Sequence, residues 1–431
     1  MPENSSSSAG AIATNYSDSS TGQPNAAACS AATPDQPGGN ANLSIGVFAI
    51  LTLRPSAANH SHRLPCAYNS LVGTHSMADL HILQKTSTLH EALWWESEPG
   101  NRVHCYLCPR HCHIGHGQSG FCFIRVNQNG KLFNLGYGAP AAIQVDPIEK
   151  KPLNHFLPGT SVFSMGTAGC NMGCFFCQNW DISKSHHDQV HSRNVPPEDV
   201  PKLALQYGCH SIAFTYNEPT IWGEYVIDIC KAAKSYGLKT VMVTNGYITR
   251  EAFHDIYDHI DAANVDLKAF TENFYGKVTL THLEPVLKTL EWLKNETSVW
   301  FEITNLMIPT LNDDPAETRK LAEWILAHLG PDVPLHFTAF HPDFKLRDKP
   351  ATPPATLHRA RAVAREVGLH YVYEGNIFSD AANTLCPACS TLLVRRSWHN
   401  VLENHIREGN CPRCHLPIPG SWQPASRPTY A

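Results

Sequence analysis

A strong charge of one sign, a long apolar run and an arginine-rich leader are what this sequence lacks. Across 431 residues, 33 Lys and Arg stand against 38 Asp and Glu, a formal net charge of −5. So small an excess argues against a polybasic nucleic-acid binder and against an acidic tail. The longest uncharged apolar stretch, residues 43–53, is too short to span a bilayer. No Lys or Arg precedes it, so it lacks the positive start of a secretory signal. The first arginine is Arg54, whereas organellar transit peptides are Arg-rich. The expectation is a soluble, cytoplasmic protein without a membrane association. Residues 1–76 are dominated by Ser, Ala, Asn, Pro and Gly without sustained periodicity, and cannot bury enough apolar surface to offset their ordering entropy. They are expected to form a disordered extension.

Cysteine, by contrast, is plentiful. Eleven of the 15 cysteines fall into three tight groups: Cys105, Cys108, Cys112 and Cys122; Cys170, Cys174 and Cys177; Cys386, Cys389, Cys411 and Cys414. Repeated C-x2-C knuckles in a long chain without a secretory signal read as metal ligands in a reducing compartment, not as a disulfide framework. Cys209 and Cys230 lie in apolar periodic segments and read as core thiols.

After a short helix expected around residues 80–95, regular alternation begins near residue 161. Strands are expected over 162–165, 211–215, 239–244, 262–267, 299–304, 335–339 and 370–373. Helices are expected over 249–260, 282–294, 315–329 and 354–367, with a further one carrying Trp222, Tyr225, Val226, Ile229 and Ala233 and stopped by Gly237. Short buried strands alternating with amphipathic helices imply an α/β fold with a parallel sheet. Its expected form is a partial (β/α) barrel of about six parallel strands, with small cysteine-rich metal-binding segments on either side. The corresponding division is an extension over 1–76, a cysteine-rich segment over 77–157, the barrel over 158–375 and a zinc-ribbon-like segment over 376–431.

Cys170, Cys174 and Cys177 form C-x3-C-x2-C on the loop after the first barrel strand, where such folds collect their functional residues. Three thiolates this close can hold three irons of a cubane iron–sulfur cluster and leave the fourth iron open. Structural zinc wants four ligands, and His186 and His187 do not fall at a usual spacing for the fourth. With aromatic Phe176 before the last cysteine, the loop resembles the signature of radical S-adenosylmethionine (SAM) enzymes. More closely, the chain is similar to the AmmeMemoRadiSam system radical SAM family, relatives of the pyruvate formate-lyase activating enzymes. The matching runs are Cys105-Tyr-Leu-Cys-Pro, Asp146-Pro-Ile-Glu-Lys-Lys-Pro, Cys177-Gln-Asn-Trp, Thr215-Tyr-Asn-Glu-Pro and Val265-Asp-Leu-Lys.

The resemblance implies a 4Fe-4S cluster whose open iron chelates SAM, reductive cleavage of SAM, and hydrogen abstraction from a substrate by the resulting 5′-deoxyadenosyl radical. It implies an electron donor such as a flavodoxin or ferredoxin, and a substrate that is a protein, an RNA or a small molecule. By the same resemblance Glu218 faces the SAM ammonium; read without it, Glu218 is a surface residue before a turn proline. Asn245 either hydrogen-bonds SAM or belongs to a plain Asn-Gly turn. Asp266 and Lys268 are either SAM-facing or a structural ion pair, and Phe176 either packs on adenine or fills the core. Asn305 and His341 sit near strand ends and could line a substrate cavity. Asp146, Glu149, Lys150 and Lys151 carry no chemistry in themselves and read equally well as a solvated charged turn.

Two C-P-x-C pairs, Cys386/Cys389 and Cys411/Cys414, can close a tetrahedral zinc site, although Ser390 and His415 stand where glycine often follows a knuckle. Cys105, Cys108, Cys112 and Cys122 could close a zinc site or hold a second cluster, with His104, His111 and His113 as further donors. Within the enzyme class the alternative is an activase that makes a glycyl radical on a partner protein. Outside it, the alternative is a metal-stapled nucleic-acid-binding protein, disfavoured by the absence of a basic excess.

Overall fold

The computed structural model describes residues 89–423. The extension expected over 1–76, with Cys29 and Cys66, lies outside them, as does most of the helix expected around 80–95. The described end of that helix is instead extended, in strands β1 (His90–Glu91) and β2 (Trp95–Glu98).

Four further short strands follow: β3 (Arg102–Cys105), β4 (Cys112–Ile114), β5 (Arg125–Gln128) and β6 (Lys131–Asn134). They build two small antiparallel sheets, in the orders β2-β3-β4 and β1-β6-β5. The main sheet has eight strands: β7 (Ala142–Pro147), β8 (Ser161–Gly166), β9 (Ser211–Phe214), β10 (Lys239–Thr244), β11 (Ala262–Asp266), β12 (Trp300–Met307), β13 (Leu335–Ala339) and β14 (Val372–Gly375). They neighbour one another in chain order. The strands from β8 to β14 run parallel, while β7 pairs antiparallel with β8, Ala142 opposite Gly166. The expected parallel barrel is therefore present, one strand longer than expected and with an antiparallel strand added in front. A final antiparallel sheet holds β15 (Thr384–Leu385), β16 (Leu392–Ser397) and β17 (Asn400–Asn404).

The parallel strands are buried on both faces, as β9 with Ser211, Ile212, Ala213 and Phe214 shows, because helices cover the outside. The helix Pro315–Leu329 is typical of that cover. Asp314 caps it by accepting from the Ala316 N–H at 2.9 Å, and Pro315 occupies a first-turn position whose N–H would have no partner. Thr318, Leu321, Ala322, Ile325 and Leu329 form its buried stripe.

The run from Asp146 to Lys151 is not a solvated turn. Asp146, Glu149 and Lys151 are buried, and Asp146 bridges Lys150 at 2.8 Å and Lys151 at 2.7 Å while accepting from the Tyr216 hydroxyl at 2.8 Å. At the opposite end of the barrel from the cysteine loop, Glu302 is wholly buried. It accepts from the Asn154 and His155 N–H groups and from His336 Nε2. His155 Nδ1 donates to Pro419 O at 2.7 Å, and in the neutral ring its Nε2 accepts from the Tyr373 hydroxyl at 2.6 Å.

Burial pushes His155 down to about 4. A histidine depressed in the folded state leaves the unfolded chain to bind the proton first. Stability is therefore lost as pH falls from about 6.5 towards 4, by an amount of order 3 kcal/mol. Burial works against the charge on Glu302, but the His336 ring and the Asn154 N–H hold its carboxyl low, so acid destabilises through both groups. The melting temperature should fall steadily across this window; a flat profile would remove the neutral-histidine assignment.

Candidate functional site

The candidate residues meet at the C-terminal ends of β8 to β11. The loop leaving β8 turns at Gly169, whose φ is +78° and where a Cβ would stand 1.9 Å from the Cys122 carbonyl oxygen; only glycine fits. Backbone bonds then fix the loop: Gly169 N–H to Ile182 O at 2.9 Å, Gly173 N–H to Thr279 O at 2.8 Å and Phe175 N–H to Val278 O at 3.0 Å. The last two acceptors lie in a single π turn, Tyr275–Thr279, a form that occurs mainly at functional sites.

Cys170 and Cys174 are buried and Cys177 half-buried. The Met172 N–H points at the Cys170 sulfur at 3.4 Å, and Asn245 Nδ2 stands 3.9 Å from it. Burial pushes the Cys170 thiol up to about 12 and the Cys174 thiol up as well, opposed by Lys184 and Lys268 respectively. A dry loop of three thiols, two nearby ammonium groups and inward N–H donors fits an anionic metal cluster better than it fits free thiols. Among the described residues these sulfurs do not draw within 4.8 Å of one another, whereas the four C-terminal cysteine sulfurs do.

Glu218 is not a surface residue. It is fully buried; Oε1 accepts from the Thr220 N–H at 2.9 Å and the Thr244 hydroxyl at 2.8 Å, and Oε2 accepts from the Asn245 N–H at 2.8 Å. Burial pushes its carboxyl up, and the Asn245 and Thr220 donors pull it down. Asn245 carries the arrangement onward, because its Nδ2 donates to Asn171 Oδ1 at 2.8 Å inside the cysteine loop. Lys268 Nζ pairs with Asp266 Oδ2 at 2.7 Å and lies 5.8 Å from the centre of the buried Phe176 ring, beside Cys174. Asn305 is buried and donates to Leu267 O at 2.8 Å, which fixes the end of β11. His341 is exposed in the segment after β13.

Four residues at this mouth escaped the sequence reading. Asn217 donates to Thr167 O and Gly169 O, Lys184 to Met172 O at 2.6 Å, Arg110 to Asn171 O and Leu280 O, and Asn171 to Tyr247 O. Asn217 sits beside Glu218 and Asn171 within the triad, so adjacency could have suggested both; nothing local marks Lys184 or Arg110.

In the C-terminal knuckles, Cys386 and Cys414 sulfurs are 3.5 Å apart and Cys389 and Cys411 sulfurs 3.6 Å. Four sulfurs about 2.3 Å from one zinc would have edges near these lengths. Ser390 and His415 adopt the left-handed conformation, φ +57° and +59°, that glycine usually supplies there. A cavity of about 670 Å³ lies at the other end of the barrel, lined by Phe156, Lys239, Asp261, Trp300 and Ser421. Lys239, Asp261 and Trp300 stand at the starts of strands, an end that serves stability in such folds, so the size of the cavity does not make it the active site.

The family model described as the Radical SAM superfamily matches residues 165–322. An uncharacterized protein of Methanocaldococcus jannaschii is 42% identical over 329 residues, covering 76% of this chain and 98% of that relative. The pyruvate formate-lyase-activating enzyme of Clostridium pasteurianum is 26% identical over 199 residues, covering 42% of this chain and 80% of the relative. Among solved structures, a radical SAM methyltransferase from Sphaerobacter thermophilus covers 55% of this chain and 71% of its own, at 14% identity and a TM-score of 0.41. No helix among the described residues is long and apolar enough to cross a membrane.

Proposed function

Because the chain belongs to the radical SAM superfamily, we propose that it is an enzyme in which Cys170, Cys174 and Cys177 hold a 4Fe-4S cluster with one iron left for SAM. Bound together there, cluster and SAM supply a 5′-deoxyadenosyl radical for hydrogen abstraction. The observation that carries this reading is the buried three-thiol loop, with Lys184, Lys268 and Asn245 turned towards its sulfurs. Lys184 and Lys268 offset the charge of the thiolates. Asn245 and Asn171 set the position of the loop, and Lys268 with Asp266 and Phe176 forms the wall on the Cys174 side. Glu218 is a positioning residue in this scheme: it orients Thr244 and Asn245, and its hold on SAM passes through Asn245. A one-electron donor of the flavodoxin or ferredoxin kind is required. The C-terminal four cysteines are assigned a structural zinc.

Anaerobically reconstituted protein given SAM and a strong reductant should form 5′-deoxyadenosine; none formed by a protein with full iron content would overturn the assignment. Glu218→Ala should keep the cluster and weaken SAM binding, because Thr244 and Asn245 lose the acceptor that orients them. Equal affinity would make Glu218 purely structural. A second reading, an activase acting on a glycine of a partner protein, is favoured by the likeness to pyruvate formate-lyase-activating enzymes. It predicts a SAM-dependent glycyl radical on that partner.

A further inference from the structure

Cys105, Cys108, Cys112 and Cys122 are left unused by the reading above, and they stand against the triad loop. Cys105 and Cys112 are cross-strand partners on β3 and β4. Their neighbours His104 and His113 are paired one step along and so point to the opposite face. There the histidines meet Glu96, Glu98 and His111 at the surface. The imidazoles are thereby removed as ligands, and four thiols remain.

Burial pushes the Cys108, Cys112 and Cys122 thiols up, and neighbouring backbone N–H groups pull against it. The backbone N–H of Arg110 faces Cys108, that of Phe121 faces Cys112, and those of Ile124 and Arg125 face Cys122. Arg125 is a buried cation electrostatically linked to Cys105 and Cys122. Its two terminal nitrogens are spent on Glu224 and on Leu93 O, yet its Nε has no partner. A buried guanidinium donor left unpaired beside two thiols needs an acceptor, which neutral thiols supply poorly and an anionic centre supplies well.

The spacing discriminates between centres. Among the described residues only the C-terminal four gather as a group whose ligand atoms all lie within 4.8 Å of one another, as ligands of a single ion do; the N-terminal four do not form such a group. Contact between the two groups is direct. The Cys122 carbonyl packs on Gly169, next to Cys170, and Arg110, between Cys108 and Cys112, donates to Asn171 O and Leu280 O. Thr249, at the start of the helix Arg250–Tyr257, donates to Tyr106 O and Leu107 O.

We propose that Cys105, Cys108, Cys112 and Cys122 hold a second iron–sulfur cluster, packed against the loop of the triad. The inference stands on the quartet alone and does not need the SAM assignment to be right. The test uses the full chain carrying C170A, C174A and C177A together, reconstituted anaerobically. Iron and acid-labile sulfide should remain in equal amounts, with a paramagnetic signal on dithionite reduction. Adding C108S and C122S should abolish all three. Loss of all iron with the triad alone, or zinc in place of iron at the quartet, would overturn the proposal. Should the fivefold variant fold poorly, C112S in the otherwise unchanged chain supplies the second measurement. It should lose part of the iron and of the acid-labile sulfide relative to the unchanged chain; undiminished iron would overturn the proposal as well.

Discussion

Cys174→Ala is expected to abolish 5′-deoxyadenosine formation, by several orders of magnitude, while leaving the melting temperature close to that of the unchanged chain. The two halves of this expectation come from different bonds. The loop holds its shape through backbone N–H groups of Gly169, Gly173 and Phe175, none of which involves the Cys174 side chain. Removing one sulfur therefore leaves the loop in place, with a small loss of buried volume beside Lys268 and Phe176. What goes is one of three thiolates. No other cysteine of the triad can replace it, since Cys170 and Cys177 are committed to their own irons. Iron content should fall but not vanish if the quartet holds the second cluster proposed above. Product formation at the rate of the unchanged chain would mean that the triad does not hold the reactive cluster, whatever else the fold accommodates.

The barrel was legible in the sequence because its strands are buried on both faces and are punctuated by helices with clear stops. The helices Pro315–Leu329 and Pro354–Val367 and the strand Leu335–Ala339 lie where periodicity puts them. Gly330 and Gly368, both at positive φ, supply the stops of the two helices. The antiparallel β7 was not legible: Gln144 and Val145 face solvent, and only pairing with β8 makes the segment a strand. The two small N-terminal sheets escaped for a related reason, as strands of two to four residues carry no periodicity of their own.

The site divides in the same way. Cysteine spacing is local, so all three groups could be read directly. The surroundings of Glu218 are not local: Thr244 and Asn245 arrive from the next strand, and a glutamate before a proline reads as a surface turn until they do. Asp146 is similar, since Tyr216 and Lys151 together make a buried ion pair of what looks like a hydrophilic hexapeptide. In both cases a distant partner helps offset the cost of burying the charge, Tyr216 for Asp146 and Thr244 with Asn245 for Glu218, and no local window contains it.

Cys411→Ser is the second large effect, and it concerns folding and not chemistry. The C-terminal sheet has little core of its own: Leu393, Val394, Ile406, Ile418 and Trp422 pack with Cys386 and Cys411 against Tyr371 and Tyr373 at the barrel edge. Leu402 and Trp398 face outward, so a module of this size would depend on the proposed metal for its folding. Cys411 is fully buried, and its backbone closes the second knuckle by donating to Leu416 O at 2.9 Å and accepting from the His415 N–H at 3.0 Å. A serine there replaces a soft thiolate with a hydroxyl that binds zinc poorly, and three sulfurs remain without a closed shell. About one zinc per chain should be lost, and limited proteolysis should cut near residues 386–414 first. The damage should stay local, because Arg396 still anchors the sheet through Asn154 O at 2.7 Å and Thr384 Oγ1 at 2.8 Å. SAM cleavage should therefore persist, since the knuckles dock at the strand starts and the triad lies at the strand ends. Zinc retained at one per chain in Cys411→Ser would remove the metal from this assignment, and loss of iron instead of zinc would make the tail a third cluster.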